Sequence, residues 1–118
     1  MEGLKIKLKV EEMIQYGYTA VRHFPKSERH VLAAEIRHSM FRLLKLVVIC
    51  NKRYYKKTTM QELDTELDVL RSMIRIAREL TFLPFRKYEI WARHLAEIGK
   101  MIGGWMRWLR ENPQGREA

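Results

Sequence analysis

The sequence predicts an all-α chain folded as an antiparallel up-down four-helix bundle. Three observations predict it. Tyr88, Trp91, Leu95, Ile98, Ile102, Trp105 and Leu109 recur at alternating spacings of three and four, which places them on one face of a long helix. Comparable stripes run through two earlier stretches. Between the stripes lie short breaks around Pro25, Thr58-Thr59 and Pro84. Turns of a few residues make successive helices antiparallel neighbours. One domain over residues 1–110 follows, with helices expected at about 10–24, 27–55, 59–82 and 86–110 and a disordered tail over 111–118.

Residues 4–10 alternate apolar residues with lysine, a strand-like period. With no partner strand in sight, they read as an extended arm or a frayed helix start. From Val10 the spacing becomes helical, with Met13, Ile14, Gly17, Val21 and Phe24 on one face until Pro25 ends the run. Ser27 then has the type and place of an N-cap for the second helix.

In the second helix Leu32, Ile36, Met40, Leu43, Val47 and Cys50 share a stripe, while Val31, Phe41, Val48 and Ile49 fall off it. A lone bundle of this size needs apolar groups on one face only, so the surplus predicts a second interface and an oligomer. Arg42, Lys45, Lys52, Arg53 and Lys56 also fall off the stripe. From Lys26 to Lys57 nine Lys and Arg stand against Glu28 and Glu35, the main source of the chain's net charge of +9. Such a balance points to a polyanionic partner, most often nucleic acid.

Thr59 and Glu62 have the spacing of a capping box for the third helix. Its stripe is Met60, Leu63, Leu67, Leu70, Ile74 and Ala77. Acids come early (Glu62, Asp64, Glu66, Asp68) and arginines late (Arg71, Arg75, Arg78), which suits the helix dipole. Arg71 and Arg75, four apart, stack on one flank with Arg78 close by. Two readings remain open for this row. Guanidiniums clasp phosphate or carboxylate in a bidentate manner, so the row reads as an anion-binding stripe for RNA or an acidic protein surface. Alternatively Arg71 pairs with Asp68 and Arg75 with Glu79 on an ordinary solvated face.

In the fourth helix Gly99 and Gly103 lie beside the seam. Each costs about 1 kcal/mol relative to Ala, which makes sense where another backbone comes close. Trp91 and Trp105 belong to the seam. Trp108 lies off it, as an oligomer contact or exposed platform. Tyr54 and Tyr55, among Lys52, Arg53, Lys56 and Lys57, look like an RNA-contacting patch.

Enzyme chemistry finds little support. Glu35 and His38 have the Glu-x-x-His spacing of bundle metal sites, but no second copy accompanies them and both project off the core stripe. His23, His30 and His94 have no ligand spacing with Cys50. Cys50 lies on the core stripe, which suits packing better than nucleophilic work. No Gly-rich phosphate loop or nucleophile elbow occurs. No metal or cofactor is expected. A single cysteine forbids an internal disulfide and suggests a cytoplasmic home, and no apolar run approaches a membrane span.

Three blocks are recognisable together: Phe24-Pro25-Lys26-Ser27-Glu28-Arg29, Leu67-Asp68-Val69-Leu70-Arg71-Ser72-Met73-Ile74-Arg75, and Ala96-Glu97-Ile98-Gly99-Lys100-Met101-Ile102-Gly103-Gly104-Trp105. In this order they resemble the accessory variability determinant (Avd) proteins of diversity-generating retroelements. A sister family, the proteins encoded by intervening sequences of bacterial ribosomal RNA genes, shares the first block. That family offers an alternative, a structural oligomer without a polymerase partner. The resemblance to Avd implies a homopentameric ring of four-helix bundles that binds the retroelement's reverse transcriptase and nucleic acid (RNA, or DNA) in support of mutagenic cDNA synthesis. It implies that Arg71 and Arg75 contact polymerase or RNA. The bases of the second helix are assigned from charge alone. The Lys-rich residues 4–9 fall outside the recognisable pattern.

Overall fold

The computed structural model describes residues 2–112. Four helices, α1 (Glu2–Val21), α2 (Leu32–Lys52), α3 (Lys57–Glu79) and α4 (Phe85–Glu111), form the bundle, with a 3-10 turn over Lys26–Glu28. No strand occurs among the described residues. Each helix packs on the two beside it, and α1 closes the ring against α4.

Contacts at the two ends fix the up-down order. At one end Gly3 of α1 meets Asn51 of α2 and Trp105 of α4, and Lys56 before α3 lies 5.9 Å from the Trp105 ring. At the other end Phe24 after α1 meets Phe82 after α3, ring centroids 5.8 Å apart. The chain therefore alternates direction, and the molecule is a rod of 48 × 23 × 19 Å.

The core is one cluster shared by all four helices. The stripes of α3 and α4 enter it: Met60, Leu63, Leu67, Leu70, Ile74 and Ala77 are buried, as are Trp91, Leu95, Ile98, Ile102 and Trp105, with Tyr88 and Leu109 half-buried at the ends of the seam. From α2, Ile36, Met40, Leu43, Val47 and Cys50 are buried and Leu32 is half-buried.

Several boundaries differ from expectation, each for a physical reason. Residues 4–10 are neither an extended arm nor a frayed start, but the opening turns of α1. Their alternation is two interleaved i,i+4 pairs: Ile6 and Val10 are buried, while Leu4 and Leu8 face outward. Lys7 pairs with Glu11 at 2.8 Å, and Lys9 reaches Glu97 of α4 at 3.3 Å. Helix α1 ends at Val21, short of Phe24.

Ser27 does not cap α2. It lies in the 3-10 turn, Val31 occupies the N-cap position, and Glu28 Oε1 accepts from the Leu32 N–H at 3.3 Å. Helix α2 stops at Lys52, before Tyr54-Tyr55. The Thr59 capping box is not formed either: α3 begins at Lys57, and the Thr59 hydroxyl is buried without a hydrogen-bond partner. At the other end of α3, Thr81 takes φ 60°, and the N–H groups of Thr81 and Phe82 donate to the carbonyls of Arg78 and Ala77. These are the two bonds of a Schellman C-cap, made here with Thr at the position that favours Gly. Helix α4 continues through Glu111; of the expected disordered tail, residues 113–118 lie outside the described part.

Candidate anion-binding interface

The flank of α3 that carries arginine faces α4, and its three members differ sharply. Arg71 is drawn onto the bundle, with Nη2 donating to the Leu95 carbonyl of α4 at 3.1 Å and Nη1 3.9 Å from Asp68. Gly99 makes this possible: a Cβ there would collide with the same Arg71 nitrogen. The close approach at Gly99 is thus by a guanidinium, not the expected backbone. Gly103 has nothing within 4 Å of where its Cβ would stand.

Arg78 lies over two rings of α4, its guanidinium carbon 4.8 Å from the Phe85 centroid and 5.2 Å from Tyr88, with Glu79 at 3.4 Å. Arg75, between them, is exposed and makes no hydrogen bond or ion pair among the described residues; the alternative pairing with Glu79 is not formed. A charge without a partner pays no desolvation or exchange cost beyond its own when an anion arrives. Arg75 is therefore the most available member of the row.

The bases expected from α2 divide in the same way. Lys45, Lys52 and Arg53 are exposed and form no ion pair among the described residues. Arg42 is engaged by Glu66 at 2.9 Å, and the same carboxylate accepts from Ser39 at 2.6 Å. Lys56 leaves the basic face altogether. It is 6% exposed, and its ammonium donates to the carbonyls of Cys50 at 2.6 Å and Arg53 at 2.8 Å. There it meets the negative end of the α2 dipole and caps its last carbonyls.

Of the surplus apolar residues, Val31, Phe41, Ile49 and Trp108 are exposed and Val48 is half-buried. Phe41 meets Tyr18 of α1 edge-on at 6.1 Å. A second apolar stripe, not anticipated, runs along α3: Val69, Ile76 and Leu80 are exposed, and Met73 is half-buried between them. Its spacing of four, three and four is as regular as the core stripe. On the helical wheel Val69 and Arg71 flank Leu70 on opposite sides, so this stripe turns away from α4 and from the arginines.

Among the described residues no three His, Cys, Asp or Glu side chains converge as a metal site, and Glu35 and His38 are exposed. Cys50 is buried. No helix among them is long and apolar enough to cross a membrane.

The chain is thus a small basic four-helix bundle with exposed apolar stripes on α2 and α3 and, among the described residues, cations without an ion-pair partner on the same two helices. The sequence profile of bAvd-like proteins matches residues 4–109, and the chain belongs to that family, which is of an accessory, non-catalytic type. No curated protein matches the chain.

Proposed function

We propose that this chain is a non-enzymatic accessory factor of a diversity-generating retroelement, which binds the element's reverse transcriptase and RNA and supports mutagenic cDNA synthesis in the cytoplasm. The observation that carries the reading is the family match across the whole bundle, residues 4–109. Arg75, Lys45, Lys52 and Arg53, unpaired among the described residues, support an anionic partner. Arg75, with Arg71 and Arg78 beside it, is the proposed centre of polymerase or RNA contact.

The working form is a ring, a homopentamer. Closed rings join unlike faces of successive subunits. Two separate apolar faces support this: Phe41 with Val48 on the α1 side of α2, and Val69, Ile76 and Leu80 on α3. Val31, Ile49 and Trp108 are further proposed contacts.

Reconstituted cDNA synthesis with the polymerase and template RNA, with and without this chain, tests the role. Product should fall to background when the chain is omitted; undiminished synthesis contradicts the proposal. RNA affinity of the chain alone should drop by at least about tenfold between about 50 and about 200 mM salt, because neutralised phosphates release counterions. An affinity independent of salt contradicts the basic face.

A further inference from the structure

A cavity of about 540 Å³ opens at the end of the bundle where the α2–α3 turn meets the last turns of α4. Its volume lies within the roughly 300–1,000 Å³ of small-molecule sites. The side chains of Met60, Met106 and Leu109 give it an apolar lining, and Tyr55 forms a wall. Tyr55 is 76% exposed, and its ring is braced edge-on by Tyr54, centroids 4.6 Å apart. Gln61 adds an amide, and Lys57 and Arg110 add two cations. Lys56 contributes its stem, since its ammonium is held by the carbonyls at the end of α2. No carboxylate among the described residues lines the cavity.

We propose that this cavity receives one unstacked base of a single-stranded RNA, with its flanking phosphates on Lys57 and Arg110. The inference rests on the RNA-binding half of the proposed function and assigns it a second site, apart from the arginine row. The chemistry of the lining matches a nucleotide part by part. Tyr55 and the polarisable thioether of half-buried Met106 suit the face of a base, while buried Met60 closes the floor. The Gln61 amide offers both a donor and an acceptor to a base edge. Two cations without a carboxylate favour a polyanion over an apolar peptide. A duplex keeps its bases stacked inside and cannot fill the cavity, so the site makes the protein selective for single strands.

Fluorescence anisotropy with a short labelled single-stranded RNA and the matching duplex tests this, on the parent chain and on Tyr55→Ala and Gln61→Ala. Both positions are exposed, so both variants should keep the parent's circular dichroism and melting. Tyr55→Ala should weaken single-strand binding about tenfold and leave duplex binding unchanged. Gln61→Ala should weaken it less. Ultraviolet cross-linking of the single strand should map to the peptides holding Tyr55 or Met106. Unchanged single-strand binding by folded Tyr55→Ala, or equal loss for both RNA forms, overturns the cavity assignment while the RNA-binding reading stands. A parent chain that binds neither form overturns both. Variants that lose the polymerase and keep RNA make the cavity a protein-docking site and overturn the assignment.

Discussion

The Arg71 guanidinium lies across Gly99 and donates to the Leu95 carbonyl, one helical turn earlier on α4. Side chains on a helix lean toward its N-terminus, so a Cβ at position 99 would stand over that carbonyl. Glycine leaves it open, and the oxygen's second lone pair takes a hydrogen bond from outside the helix. Arg71 thereby joins α3 to α4, while Arg75, one turn further on, has no partner among the described residues.

Gly99→Ala and Gly103→Ala therefore have different consequences. The atom in the way at Gly99 is the far end of a flexible side chain, so Arg71 swings out and loses Leu95. The helix-propensity gain of about 1 kcal/mol offsets much of that loss. Urea unfolding should show a change below about 1 kcal/mol for Gly99→Ala and a gain of about 0.5–1 kcal/mol for Gly103→Ala, which meets no neighbour. Severe destabilisation by Gly103→Ala would show that something covers that face.

Lys56 is a structural residue by the same kind of geometry. Lys56→Met keeps the stem and removes the ammonium from the carbonyls of Cys50 and Arg53. A loss of about 1–3 kcal/mol is expected in chemical unfolding, from the charge-assisted bonds removed, with the Cys50 carbonyl keeping only the Arg53 N–H at 3.3 Å. Stability equal to the parent's, with weakened RNA binding, would return Lys56 to the basic face.

Unlike faces in a ring make a sharp test of assembly. Phe41→Arg and Ile76→Arg each destroy one proposed face, and each chain alone should scatter light as a monomer. Mixed in equal amounts they should form a dimer through the one intact pair of faces. Persistence of the parent's size in either variant alone contradicts the assignment. So does a monomeric parent at micromolar concentration.

The core was legible because burial selects large apolar groups at helical spacing, and the α3 and α4 stripes obey that rule throughout. Ends of helices were less legible, since competing devices served them: Glu28 in place of Ser27 at α2, and a Lys56 side chain folded back on α2 in place of a Thr59 cap on α3. Ile6 and Val10 show that alternation over seven residues fits a helix as well as a strand. The second stripe of α3 was present in the spacing of Val69, Met73, Ile76 and Leu80, but the core stripe alone accounts for the helix, so the periodicity does not demand it. Which arginine is free was not legible. Arg71, Arg75 and Arg78 are equivalent by spacing, and only the positions of Leu95, Gly99, Phe85 and Tyr88 across the interface separate them.

The central claim is that this chain binds the reverse transcriptase of its own genome through the arginine row. A nuclease-treated pull-down of that polymerase at moderate salt tests it most directly, comparing the parent with Arg75→Glu, and with Arg71→Glu/Arg75→Glu checked for folding because Arg71 also serves the bundle. Retention by the parent, lost on Arg75→Glu with melting unchanged, is the predicted result. Failure of the folded parent to retain the polymerase, or equal retention by Arg75→Glu and the folded double variant, would contradict the account.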